Sequence, residues 1–161
     1  IGGMVDISTP VQQFAGLDLP VERVYITENE VNGLAFPDAP SAMVIFGGGY
    51  GIDRLADIGW LHGRELVYWG DIDTHGFAIL DRLRAYYPHV RSMLMDEATL
   101  HAHRPVWGSE EADKRFMGEL QRLSFEESRL FEQLRTDALA PRLRLEQERI
   151  AYGWVERAVH Q

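Results

Sequence analysis

The chain has 161 residues, is 45% hydrophobic, carries a net charge of −9 at pH 7 and contains no cysteine. That length supports one well-cored domain, with at most a helical extension. The lack of cysteine excludes a disulfide scaffold, a zinc–thiolate site and a cysteine nucleophile, and the charge argues against a free-standing nucleic-acid binder, because phosphate contacts come from basic side chains. No apolar run approaches the roughly 20 residues of a membrane span and no signal-peptide pattern opens the chain, so a cytoplasmic protein with no membrane contact is expected. The aperiodic opening IGGMVDISTP reads as a fragment of a larger protein, with residues 1–20 a lead-in to the first ordered element.

Residues 21–27, VERVYIT, form a β-rich run that ends at Glu28-Asn29-Glu30; a strand here delivers Glu28 to its C-terminal tip. After a short apolar segment stopped by Pro37, Ala42–Phe46 is a second strand, followed at once by Gly47-Gly48-Gly49-Tyr50-Gly51 and the helical spacing of Ile52, Leu55, Ala56 and Ile58. Such a glycine turn permits close backbone approach and could cradle a phosphate, although it matches neither the Walker nor the dinucleotide fingerprint; an ordinary tight turn is an equal reading. Residues 66–69 are a third, uniformly apolar strand, as expected of one covered on both faces, and Phe77, Leu80 and Leu83 then follow a helical spacing up to Pro88.

Between that strand and its helix lies Asp71-Ile72-Asp73-Thr74-His75-Gly76. On an extended backbone carboxylates two residues apart project to the same side, here at the sheet edge where open α/β folds bind ligands. Like charges so close resist joint ionisation unless a cation sits between them, and a hard divalent ion such as Mg²⁺ or Mn²⁺ would supply it. Aspartates at strand ends also cap helices, so the D-x-D signal is weak alone. Residues 90–95, VRSMLM, are a fourth strand ending at Asp96. Alternating strands and helices predict an α/β fold: a mostly parallel four-stranded sheet flanked by helices over residues 21–100. Residues 101–161 read as a charged helical extension on the same unit, with a capping box at Ser124 and Glu127 and a last helix over residues 143–159, past Pro141. Glu146 and Glu148 are then surface charges on a helix, and His101 and His103 are too sparse for a zinc site.

A glutamate after the first strand and D-x-D after the third resemble the Toprim domain of topoisomerases, primases and some nucleases. Glu28-Asn29-Glu30, Gly49-Tyr50 and Asp71-Ile72-Asp73 with Gly76 resemble, in order, motifs of the topoisomerase VI A subunit. ITENEVNGLAFP, VIFGGGYG, VYWGDIDTHGFAIL, MDEATL and RLEQERI resemble most closely the C-terminal domain of JetD, the nuclease subunit of the Wadjet plasmid-defence system, over residues 19–160. The resemblance implies a Toprim-like, Mg²⁺- or Mn²⁺-dependent DNA endonuclease. Glu28 matches the Toprim glutamate, Asp71 and Asp73 its metal-binding aspartates, and Glu30 is a weaker match. It also implies double-stranded DNA as substrate, an SMC-type ATPase complex as partner and a homodimer. No tyrosine-bearing winged-helix domain is recognisable, so covalent strand passage has no support. Read without the family, Asp71 and Asp73 would hold the metal, and Glu28 would be a further ligand or the base for an attacking water.

Two rival readings stand beside this one. Asp71-Ile72-Asp73-Thr74 also satisfies the D-x-D-x-T nucleophile motif of haloacid-dehalogenase-type phosphatases, but it lies on the third strand, and Lys114 is the only lysine in the chain. The other rival is a non-catalytic module whose acidic strand tips bind metal or a partner.

Overall fold

The computed structural model describes residues 8–46 and 51–161. The four expected strands are β1 (Arg23–Thr27), β2 (Ala42–Phe46), β3 (Glu65–Trp69) and β4 (Arg91–Ser92), all parallel and in the order β2-β1-β3-β4. The helices are α1 (Val11–Ala15), α2 (Glu30–Leu34), α3 (Ile52–Leu55), α4 (Thr74–Tyr86), α5 (Glu97–Ala102), α6 (Phe125–Arg135) and α7 (Tyr152–Val159). None of the described helices is long and apolar enough to cross a membrane. The glycine turn at residues 47–50, with its phosphate-cradle reading, lies outside the described residues.

The order places β1 and β3 at the centre, and their sequences show why. From Val24 to Thr27 and from Leu66 to Trp69 every residue is buried, the signature of strands covered on both faces. β2, with only half-buried residues, is the edge. The apolar row of α4 (Phe77, Leu80 and Leu83) is fully buried against this sheet, as its spacing predicts. Thr27 pairs with Trp69, so the chains leaving β1 and β3 emerge side by side as Glu28 and Gly70.

Three expectations are corrected. The fourth strand keeps only two paired residues of the run 90–95: Met93 still donates to the Tyr68 carbonyl at 2.9 Å, but Leu94 turns to a φ of 59° and takes the chain out of the ladder. Residues 110–123 hold no helix; the chain there is pinned to α4 through Asp81, which accepts from the backbone N–H groups of Gln121 and Arg122 at 2.8 and 2.6 Å. The expected helix over 143–159 is an α-helix only from Tyr152, preceded by one 3-10 turn over Gln147–Arg149. Before it, β6 (Leu143–Arg144) pairs antiparallel with β5 (Gly108–Ser109), and Leu145 then bridges to Ile72. α7 packs through Val155 and Val159, both buried, and Tyr25 donates to the Val159 carbonyl at 3.5 Å.

A buried ion pair joins the extension to the sheet domain. Glu127, in the capping box of α6, accepts from Arg84 of α4 at 2.5 and 3.0 Å and from Ser92 of β4 at 2.6 Å. Burial opposes its ionisation, but those donors hold the Glu127 carboxyl below its ordinary range. Removing one partner of such a pair costs about 3–5 kcal/mol, because the other charge is left buried and unpaired.

Candidate functional site

Two glycines set the geometry of the strand tips. A Cβ on Gly70 would overlap the Tyr68 hydroxyl and the Glu28 carboxylate, which close over it. A Cβ on Gly76 would overlap the backbone carbonyl oxygen of Asp71, so only glycine lets the first turn of α4 sit this tightly against the D-x-D loop. Asp73 is the N-cap of α4, its Oδ1 accepting from the Gly76 N–H at 2.7 Å, and Asp71 is held by the Gln147 N–H on Oδ1 at 2.8 Å. The Tyr68 hydroxyl donates to Glu28 Oε1.

Glu28, Asp71 and Asp73 are thus brought to one end of the sheet, where the Asp71 charge acts on both Glu28 and Asp73. The Glu28 carboxyl is pushed up to about 7, mainly by burial with the charge of Asp71 adding, while the Tyr68 hydrogen bond opposes the rise. Asp73 is pushed up to about 8, again by burial first, then by the charges of Glu110, Asp71 and Glu28 against the Gly76 hydrogen bond. Burial and the Glu28 charge raise the Tyr68 phenol well above its ordinary value. Carboxylates buried together without enough positive charge hold protons that carboxylates in water give up.

Sequence reasoning passed over three residues here. Arg144 brings a cation to the aspartates: its Nε and Nη2 lie 3.0 and 2.5 Å from Asp71 Oδ2, and its Nε lies 3.4 Å from Asp73 Oδ2. Glu110, 3% exposed, accepts the Thr74 hydroxyl on both oxygens at 2.8 Å and the His75 N–H at 3.2 Å, locking the start of α4. Gln147, 1% exposed, gives its backbone N–H to Asp71, while neither polar atom of its side chain finds a hydrogen-bond partner. Glu146, expected on a helical surface, lies before the 3-10 turn and 3.6 Å from Arg144, whereas Glu148 is exposed on that turn as expected and accepts from Asn29, the N-cap of α2 beside Glu28.

Glu30 is an exposed first-turn residue of α2, the His75 ring is exposed, and Asp96 caps α5 through the Thr99 N–H at 2.7 Å. His103 is buried, its Nδ1 2.8 Å from the Thr99 carbonyl, while Nε2 accepts from Ala151 N–H at 3.0 Å; the His101 ring lies tilted against Trp107, centroids 5.9 Å apart.

A metal would have to compete for these oxygens. Among the described residues no three His, Asp or Glu side chains stand as a ready cage, since Asp71 is engaged by Arg144 and Gln147, and Glu28 by Tyr68. The donor chemistry nonetheless fits a hard divalent cation: three carboxylates, two of them with pKa values raised by burial and by neighbouring negative charge.

A parallel sheet with acidic side chains gathered where its central strands end defines an α/β domain, and open sheets of this kind bind their ligands at the carboxyl edge. The chain belongs to the family of the C-terminal region of the Wadjet protein JetD, which matches residues 1–159. Compared with curated proteins, the chain matches none.

Proposed function

We propose that this chain is a Toprim-like, metal-dependent DNA endonuclease domain that hydrolyses phosphodiester bonds of double-stranded DNA as the cutting component of a Wadjet system. The observation that carries the reading is the convergence of Glu28, Asp71 and Asp73 on adjacent strand tips, where burial and the charge of Asp71 raise the pKa values of Glu28 and Asp73. Asp71 and Asp73 would hold Mg²⁺ or Mn²⁺, with Glu28 beside them. When bound, such an ion polarises a phosphoryl oxygen and offsets charge on the leaving oxygen. Glu28, with an affinity for protons near neutral pH, is suited to take a proton from the attacking water, and Tyr68 fixes the carboxylate through Oε1. Glu110 keeps Thr74 and the start of α4 in place, which keeps Asp73 aimed at the site.

An acidic domain that must meet a polyanion needs basic surface from elsewhere, in agreement with an SMC-type ATPase complex presenting the DNA to a JetD homodimer. The phosphatase reading is the weaker one. Thr74 is taken by Glu110, and Lys114 is exposed and paired with Glu111 at 2.9 Å rather than turned to Asp71.

Supercoiled plasmid incubated with the chain and Mn²⁺ should be nicked or linearised, and chelation should stop the reaction. Release of phosphate from monoesters with the plasmid left intact would replace this reading with the phosphatase one.

A further inference from the structure

Among the described residues Arg144 is the only cation in hydrogen-bond contact with Asp71, and it also reaches Asp73 at 3.4 Å and Glu146 at 3.6 Å. Its backbone is fixed independently of this contact. Leu145 and Ile72 exchange two hydrogen bonds at 3.1 and 2.9 Å, and the Gln147 N–H reaches Asp71 Oδ1 at 2.8 Å. The side chain can therefore swing while the segment stays in place, and it is 29% exposed, so it lies at the mouth of the site.

The two oxygens of Asp71 are not equivalent. Oδ1 is held by a backbone N–H that comes with the fold, whereas Oδ2 is held by the forked Nε and Nη2 of Arg144. A divalent cation that binds Oδ2 of Asp71 competes with Arg144 for that oxygen, because at this distance like charges repel strongly in a part-buried site. We propose that Arg144 is a resident counter-ion that gives way to the divalent cation at Asp71 and, once displaced, pairs its guanidinium with a phosphate of the substrate. The proposal rests on the metal site proposed above. A planar fork tethered beside the site suits a phosphate, and Glu146 offers a resting partner when no substrate is present.

Calorimetric titration of Mn²⁺ into the wild-type chain, Arg144→Gln, Arg144→Lys and Asp71→Asn, paired with plasmid cleavage at saturating Mn²⁺, tests both halves. If the site is free of Arg144 only about a tenth of the time, Arg144→Gln tightens Mn²⁺ binding about tenfold, because the apparent Kd scales inversely with the competent fraction. Arg144→Lys, which keeps a charge but loses the fork, should fall between, and it carries the test if the glutamine variant does not melt cooperatively. Both should cut more slowly than wild type despite binding metal at least as well. Unchanged Mn²⁺ affinity in both arginine variants, with binding abolished in Asp71→Asn, would overturn the exchange and leave the metal site standing. Tighter Mn²⁺ binding with undiminished cleavage would overturn the phosphate contact. Absence of Mn²⁺ binding in every variant would remove the metal site and the exchange together.

Discussion

Asp71→Asn and Glu28→Gln should each abolish metal-dependent cleavage while leaving the fold in place. Both replacements are near-isosteric, and both side chains lie at strand tips, outside the apolar contacts of β1, β3 and α4. Asparagine at 71 can still accept the Gln147 N–H, and glutamine at 28 can still accept the Tyr68 hydroxyl, so the neutral amides keep the hydrogen bonds that position them. Arg144 loses one charged partner in Asp71→Asn but keeps Asp73 and Glu146 beside it. Charge at the reacting phosphate is what disappears. Removing one preorganised electrostatic partner of a reaction costs roughly 10²–10³-fold, and losing a metal ligand or the base should reach at least that. Cleavage assayed at matched melting temperature decides the matter: activity within a few-fold of wild type in either variant would strike that residue from the mechanism.

The second large effect is on stability against pH. In the folded chain Glu28 titrates at about 7 rather than its ordinary 4.5, and Asp73 at about 8 rather than 3.8. Across that interval the native state holds protons that the unfolded state has released. Stability from these two groups is therefore fully present below about pH 4 and is lost as pH rises through 7 and 8. A raised pKa costs about 1.4 kcal/mol for each tenfold change in the protonation equilibrium, and two carboxylates share the interval here. Metal-free protein should lose stability from pH 5 to pH 9, as read from urea midpoints. Glu28→Gln and Asp73→Asn should each flatten the slope, and asparagine at 73 remains a good helix cap. A slope that is level in the wild type, or equally steep in both variants, would show that these carboxylates are not short of positive charge.

The sheet was legible because its strands announce themselves locally. Residues 66–69 are uniformly apolar, and the β-rich run before Glu28 ends where β1 ends, which puts Glu28 and the D-x-D at adjacent tips. Arg144 was hidden by a competing pattern. Ile150, Trp154 and Ala158 keep helical spacing, and extending that helix back to residue 143 turned LEQER into a solvated charged face. The signal for the true structure was a period of two: Leu143, Leu145 and Gln147 alternate with Arg144 and Glu146, and the first three are the buried ones. Glu110 left no comparable mark. Nothing local distinguishes it from Glu111, and only the crossing of β5 past α4 brings it to Thr74. Long-range placement of single charged residues, unlike the run of a strand, is decided by tertiary contacts.

The measurement closest to the central claim is a thermal melt of the chain with and without Mn²⁺ at pH 7.5, set beside the double variant Glu28→Gln, Asp71→Asn. A ligand that binds only the native state stabilises it by about 2.7 kcal/mol at one hundred times its Kd. For a chain of this size that is a rise in Tm of roughly 5–10 °C. The wild type should show this rise and the double variant should not. An unchanged wild-type Tm at millimolar Mn²⁺, or an equal rise in the double variant, would contradict a metal site built on these strand tips.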